Sequence, residues 1–153
     1  MAGVKTFEEL VAWQQAREVK KLVYALADKA VCRREPDFRR QIRDAAASVP
    51  ANIAEGFARK RPRDFSRFLT IARASLAETQ NHLIDGIDRG LWNETELDGI
   101  RTHLKRAGTA IAGLQTYLNS CSRLRLEPFE PIEPIEPGVL QGPSVPAPAS
   151  RSR

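Results

Sequence analysis

The chain has 153 residues, 42% of them apolar and 28% charged, which is typical of a single globular domain with a core. Its net charge of +5 favours polyanionic partners such as nucleic acid. No apolar run approaches the roughly 18 residues that span a bilayer, and the first ten residues, MAGVKTFEEL, lack a signal-peptide pattern. These features argue against a membrane protein, and we expect a cytoplasmic location.

The first predicted helix begins near Thr6, because Thr6 and Glu9 have the Thr-x-x-Glu spacing of a capping box. Its apolar residues recur at alternating steps of four and three, which indicates one buried face: Ala12, Ala16, Val19, Val23, Leu26 and Ala30. Cys32 closes this helix and Cys121 closes the last one. An up-down-up-down bundle would hold the two thiols about 30 Å apart, so we expect them to be free.

The second helix is predicted to begin near Pro36, since proline suits the first turn, and to end at Gly56 or slightly beyond. Pro50 interrupts its middle, because proline lacks an N–H and its ring crowds the carbonyl of Ala46. The helix must therefore kink at Pro50 or form two pieces. Its predicted buried face is Ile42, Ala46, Val49, Ile53 and Phe57.

The third helix is predicted from Pro62 to about Arg89, with Gly90 as a left-handed cap. Its predicted buried face is Phe65, Phe68, Leu69, Ala72, Leu76, Thr79, Leu83 and Ile87. Asn93 and Glu96 form a second capping box before the fourth helix. That helix has the most regular pattern: Leu97, Ile100, Leu104, Ala107, Ile111, Leu114, Leu118 and Cys121. Because the connections are short, consecutive helices should be antiparallel.

The composition changes abruptly after Leu126, where EPFEPIEPIEPGVLQGPSVPAPASRSR holds seven of the ten prolines. Proline at this density excludes helix and sheet, which predicts an extended, polyproline-like or disordered segment. We therefore divide the chain into a helical domain over 1–123 and a disordered Pro-rich tail over 124–153. The repeated Glu-Pro-Ile could bind a partner, although a solvated linker is the simpler interpretation.

Three separated stretches carry a family resemblance: FEELVAWQQA at 7–16, SVPANIAEGFAR at 48–59 and DFSRFLTIARASLAE at 64–78. Over roughly residues 6–122 the chain resembles the four-helix-bundle proteins named after 23S ribosomal RNA intervening sequences. The resemblance implies a left-handed antiparallel bundle that assembles as a homopentameric ring. A more distant similarity to accessory proteins of diversity-generating retroelements implies a reverse transcriptase as a partner. Family members have Ser or Thr near position 61, so Arg61 predicts a missing side-chain cap.

Basic residues concentrate between residues 33 and 73, where eleven cations against five carboxylates leave +6. Repeated cations favour contacts with phosphates, and no set of stacking aromatics accompanies them, so binding would follow backbone charge and not sequence. The candidate nucleic-acid-binding residues are Arg39, Arg43, Arg59, Lys60, Arg61, Arg63 and Arg67. A purely structural interpretation is also open, because cations near residues 59 to 63 complement the dipole at a helix end.

The sequence offers little for catalysis. It has no glycine-rich phosphate loop, no Gly-x-Ser-x-Gly elbow and no Cys-x-x-Cys pair. A hairpin would bring His82 level with His103, but the surrounding carboxylates are too few for a bundle metal site. We therefore expect no metal, no cofactor, no small-molecule substrate and no enzymatic activity.

Four other polar residues are interpreted as a structural network: Asn52, Glu55, Arg73 and Glu78. Asn52 and Glu55 would restore hydrogen bonding disrupted by Pro50, and Arg73 would pair with Glu55 or Glu78 within or between subunits. The sequence thus predicts an all-α four-helix bundle acting as a non-enzymatic, oligomeric nucleic-acid-binding adaptor. The alternative is a structural or protein-interaction homo-oligomer that binds no nucleic acid.

Overall fold

The computed structural model describes residues 3–124, and those residues form helices joined by short turns, with no strand. The four long helices are α1 (Val11–Ala27), α2 (Pro36–Ala58), α3 (Pro62–Asp88) and α4 (Asp98–Leu124). Short 3-10 turns span Phe7–Glu9, Cys32–Arg34 and Glu94–Leu97. The predicted all-α class with four helices is confirmed. Residue 124 belongs to α4, and the remainder of the predicted Pro-rich tail lies outside the described residues.

The four helices surround one core, with α1 and α3 each packed against both α2 and α4. Ile42 and Leu104, which anchor the predicted stripes of α2 and α4, are 0% and 3% exposed. Most of the other predicted core residues are also buried, because a period of three and four residues places them on one side of each helix. Five are only partly covered or exposed: Ala30, Phe57, Phe68, Ile87 and Leu114.

The start of α1 differs from the prediction. Thr6 makes no side-chain capping bond, and Glu9 instead accepts a hydrogen bond from the Lys5 N–H at 3.2 Å. Residues Phe7–Glu9 form a 3-10 turn, and Leu10 is extended and buried, so the α-helix begins only at Val11. Burial of Leu10 fixes where α1 begins. This is a tertiary effect, which the capping-box spacing of Thr6 and Glu9 does not encode.

The end of α1 also comes earlier than its stripe predicts. The helix stops at Ala27, and the turn that follows leaves Ala30 exposed, so its assignment to the core was wrong. Cys32 then enters the core, where its Sγ lies 3.4 Å from the carbonyl oxygen of Leu26. Burial raises the pKa of the Cys32 thiol. Cys32 and Cys121 are both buried and free, as predicted.

The remaining helix ends follow local chemistry. Pro36 and Pro62 occupy first-turn positions, and Arg61 at the N-cap of α3 makes no side-chain capping bond, as expected. Gly90 has a φ of +70°, the left-handed conformation predicted for the end of α3. Asn93 and Glu96 form the predicted reciprocal capping box. These signals were readable because each depends on residues within one turn of chain.

Pro50 is buried inside α2, which continues as one helix from Pro36 to Ala58. Of the two alternatives, a kink at Pro50 or two pieces, two separate pieces are therefore excluded. Asn52 Nδ2 donates to the carbonyl oxygen of Ser48 at 2.8 Å and to its Oγ at 2.9 Å. The Ser75 hydroxyl donates to the same Oγ at 3.0 Å, so this polar group joins α2 to α3 just beside the proline.

Candidate nucleic-acid interface

The connection between α2 and α3 is short and firmly anchored. Phe65 is 2% exposed, its ring lies edge-on to that of Phe57 with centroids 6.2 Å apart, and it packs against the backbone of Gly56. A Cβ at Gly56 would lie 2.4 Å from the Phe65 ring, so glycine allows the two helices to approach closely here. The aromatic contact therefore fixes the position of the cations in the turn.

Four cations of this turn and of the first turns of α3 are exposed: Lys60, Arg61, Arg63 and Arg67. We call them the basic cluster. Within residues 3–124, no carboxylate lies within 4.0 Å of any of the four, whereas six of the other twelve arginines have one. The cluster is thus positive charge that the described fold does not neutralise.

Lys60 has a φ of 59°, a left-handed conformation that costs a non-glycine residue roughly 1 kcal/mol. We expect Lys60→Gly to raise the free energy of unfolding by about 1 kcal/mol in urea denaturation. Lys60→Ala removes the same charge but keeps the strained backbone, so it should leave stability nearly unchanged. Equal stabilisation by both variants would show that charge repulsion, not backbone strain, is relieved.

Arg59 precedes the cluster but has a partner. Its guanidinium donates to Glu55 at 2.5 Å and lies over the Phe68 ring, 5.1 Å from the centroid. Both members of the pair are about half exposed, so the interaction contributes little to stability and can exchange for another anion. Arg59 is therefore a secondary member of the candidate interface.

Arg39 and Arg43 lie elsewhere and are occupied. Arg39 donates to the carbonyl oxygen of Ala27 at 2.9 Å and to Asp28 at 2.6 Å, while Arg43 donates to Asp28 at 3.0 Å. Arg43 also stacks over the Tyr24 ring at 3.9 Å. It precedes the end of α2 by about 22 Å along the helix axis at about 1.5 Å per residue. The structure therefore separates these two arginines from the basic cluster.

Asp28 binds both of these arginines. Hydrogen bonding from Arg39 and the charge of Arg43 lower the pKa of its carboxyl. Folding favours the ionised carboxylate. Its contribution to folding stability is therefore fully present above the ordinary pKa of 3.8 and is lost as the pH falls through the lowered pKa. We expect Asp28→Asn to lower the thermal midpoint at pH 7, with the difference from wild type shrinking below pH 3.8. Asp44→Asn, at an exposed carboxylate 3.8 Å from Arg40, should have a smaller effect.

The four residues predicted as one polar network have separate partners within the chain. Asn52 bonds Ser48, and Glu55 pairs with Arg59. Arg73 donates to the Gln115 side chain on α4 at 3.4 Å, and Glu78 lies 3.7 Å from His82. Pairing of Arg73 with Glu55 or Glu78 does not occur within one chain, so only the version between subunits stays a prediction.

A shallow concavity of about 330 Å³ adjoins the basic cluster. It is lined by Arg59, Asp64, Arg67, Phe68 and Ile71. Ile71 is 48% exposed although it is a large apolar residue, and the predicted core position Phe68 is only partly buried. Sequence reasoning missed this feature. The available signal was Ile71 itself, one helical turn after Arg67 on a face that otherwise carries polar residues.

The two histidines do not meet. His82 lies edge-on to the Phe38 ring with centroids 5.9 Å apart, and His103 Nδ1 lies 2.9 Å from Gln15 Oε1. They therefore contact α2 and α1, respectively, although a simple hairpin would place them level. Among residues 3–124, no three His, Cys, Asp or Glu side chains are grouped to hold a metal ion. No helix in this part of the chain is long and apolar enough to cross a membrane.

Residues 8–113 match the model of the family described as 23S rRNA-intervening sequence protein. The chain belongs to this family. The matched region runs from the turn before α1 into α4 and includes the entire basic cluster and its concavity. The family assignment therefore covers most of the bundle, up to residue 113 within α4. A search of curated proteins gave no match.

Proposed function

We propose that this protein is a non-enzymatic, oligomeric adaptor that binds the backbone of RNA or DNA through the basic cluster. The observation that supports this proposal is the lack of any carboxylate partner for Lys60, Arg61, Arg63 and Arg67 within residues 3–124. A cation already paired with a carboxylate must give up that partner to bind phosphate, whereas an unpaired cation releases only its hydration and counterions. The family is named after 23S rRNA intervening sequences, which is in keeping with a nucleic-acid-related role.

The cluster favours recognition of charge and shape. Phe57 and Phe65 pack against each other beside the turn, and Arg59 covers one face of the half-buried Phe68 ring, so none of the three is a fully exposed ring for stacking on bases. Without stacking or base-edge contacts, binding depends on phosphates and is sequence-tolerant.

We also propose an up-down-up-down order for the helices, which several contacts support. Phe57 meets Phe65 beside the α2–α3 turn, while Phe38 meets His82 at the far ends of the same helices. Likewise, Ser66 at the start of α3 contacts Asn119 near the end of α4. In this order the α2–α3 turn, which carries the cluster, lies at one end of the bundle.

A homopentameric ring in the cytoplasm, with a reverse transcriptase as a protein partner, completes the proposal. A ring would repeat the basic cluster on every subunit, so that one nucleic acid could contact several clusters at once. Such multivalent contact raises affinity without any new kind of interaction.

Gel retention of RNA and DNA at low salt tests the proposal. We expect retention by the wild-type chain and its loss in the variant Lys60→Ala, Arg61→Ala, Arg63→Ala, Arg67→Ala. The matched control replaces four other exposed cations with no carboxylate within 4.0 Å, namely Arg33, Arg34, Lys105 and Arg106, and should retain nucleic acid. Equal loss in both variants would indicate net charge alone, and no retention by wild type would reject the proposal.

A second candidate function, a protein-interaction oligomer without nucleic acid, is favoured by the outer face of α2. Four alanines recur there at steps of four and three: Ala47, Ala51, Ala54 and Ala58. Such a stripe is uncharged and lets another helix approach closely. Oligomers seen by size exclusion with light scattering should dissociate in Ala51→Glu but persist in Ala25→Glu, which alters an exposed alanine of α1. A monomeric wild-type chain at micromolar concentration would contradict both oligomeric functions.

A further inference from the structure

The last turns of α4 lie beside the first turns of α3. Ser66 Oγ donates to Asn119 Oδ1 at 2.9 Å, and Gln115 Nε2 donates to Thr70 Oγ1 at 2.9 Å. Leu124, where the described residues end, is only about 7 Å further along α4 than Asn119 at about 1.5 Å per residue. The chain therefore continues from the same end of the bundle that carries the basic cluster.

The sequence that follows has the complementary charge. Residues 127–137 read EPFEPIEPIEP, which we call the acidic repeat. Glutamate returns every third residue at 127, 130, 133 and 136, and the apolar residues Phe129, Ile132 and Ile135 share the same period. A polyproline II helix has three residues per turn, so this pattern would place carboxylates along one edge and apolar side chains along another.

The basic cluster and its concavity match that pattern. The cluster offers four cations without carboxylate partners in the described chain, and the concavity beside it exposes Ile71 and part of Phe68 between Arg59 and Arg67. Asp64 also lines the concavity, so its rim carries two arginines against one carboxylate. An apolar floor with this net positive rim suits a ligand that alternates apolar and acidic side chains.

We propose that the acidic repeat binds the basic cluster and the adjoining concavity of its own chain. The five residues from Leu124 to Phe129 span about 15 Å at about 3.1 Å per residue. This is more than the diameter of α3, about 10 Å, which the chain must cross between the end of α4 and the concavity. Because the repeat is tethered, its effective concentration at the cluster is on the order of millimolar, which makes individually weak ion pairs sufficient.

The acidic repeat then competes with nucleic acid. Its glutamates occupy the cations that would otherwise contact phosphates, so a polyanion must displace the repeat before it binds. This regulatory consequence rests on the proposed nucleic-acid function, whereas binding of the repeat to the cluster does not.

Carbodiimide cross-linking of the full chain tests the contact without any nucleic acid. The reagent joins carboxylates to adjacent amines, and Lys60 is the amine within the cluster. Mass spectrometry should find Lys60 joined to glutamates 127, 130, 133 and 136, and yields should fall severalfold at 1 M salt, where the screening length is about 3 Å. In a mixture of ¹⁴N and ¹⁵N chains, each cross-link should contain one isotope only.

Two variants separate a specific contact from a loose tail. Arg61→Ala with Arg63→Ala keeps the Lys60 amine and should lower the cross-link yield severalfold. Arg33→Ala with Arg34→Ala alters exposed cations of the α1–α2 connection and should not change it. Three results would each overturn binding of the repeat to the cluster of its own chain. They are equal cross-linking of the repeat to Lys29, Lys60 and Lys105, no cross-link to Lys60, and cross-linked products of mixed isotope.

The competition is tested by affinity for heparin and RNA. Replacing the four glutamates by glutamine should raise affinity about tenfold. The matched control makes the same change in net charge at exposed carboxylates of the bundle: Glu8→Gln, Asp37→Asn, Asp44→Asn and Asp88→Asn. An equal gain in both variants contradicts competition. If no chain binds either polyanion, the proposed function fails while the cross-linking result still decides the contact.

Discussion

Gly86→Ala is expected to lower the free energy of unfolding by about 3 kcal/mol, because the space for a methyl group is already filled. A Cβ at Gly86 would lie 1.9 Å from Cζ2 of Trp92. Trp92 is 5% exposed, and its Nε1–H donates to the carbonyl oxygen of Leu83 at 2.8 Å. The indole ring cannot move away without leaving its own buried Nε1–H without an acceptor. Urea denaturation followed by circular dichroism measures the change.

Gly99→Ala is the matched control for this substitution. Gly99 is an exposed glycine in α4, and a Cβ there would meet no side chain or neighbouring helix within 4 Å. Alanine should therefore stabilise the helix by about 0.5 to 1 kcal/mol. Adding Trp92→Leu to Gly86→Ala should recover part of the loss, since the smaller side chain makes room. A Gly86→Ala protein as stable as wild type would show that Trp92 can occupy another position.

Removal of the basic cluster is expected to change the salt dependence of nucleic-acid affinity. If each of its four cations neutralises one phosphate of duplex DNA, affinity should fall roughly 150-fold between about 50 and 200 mM salt from these contacts alone. Fluorescence anisotropy with labelled DNA or RNA across that range gives the slope. Alanine at Lys60, Arg61, Arg63 and Arg67 should reduce the slope by about 3.6 for duplex DNA.

Single substitutions give a sharper comparison between the arginines of the two sites. Arg63→Ala should reduce the slope by about one, because this side chain has no carboxylate partner in the described chain. Arg43→Ala should leave the slope unchanged, since Arg43 is held by Asp28 and Tyr24. A smaller slope in Arg43→Ala and an unchanged slope in Arg63→Ala would place the interface near the α1–α2 connection. That result would reject the interface proposed at the basic cluster.

Local sequence signals predicted the helices well. The stripes of α2, α3 and α4, the first-turn prolines, Gly90 and the capping box of Asn93 and Glu96 were all readable, because each is decided within a few residues. The ends of α1 were not. There, burial of Leu10 and Cys32 overrides the local pattern, and burial depends on helices distant in sequence.

The candidate interface shows the same division. A count of cations located the excess of positive charge between residues 33 and 73, but it could not distinguish Arg43 from Arg63. That distinction depends on Asp28, which follows the end of α1 and forms ion pairs with Arg39 and Arg43 of α2. Neither Ile71 nor its concavity was predicted, because helical period alone does not say how closely two helices approach.

The sequence by itself determined that this chain forms four amphipathic helices, that it belongs with a family of such proteins, and that its positive charge lies mainly on α2 and the start of α3. These properties follow from periodicity, composition and short motifs, which are local. Only the tertiary structure decided which cations have carboxylate partners and that α4 ends near the basic cluster. Those features arise from distances between residues far apart in the chain, which are fixed by how the helices pack.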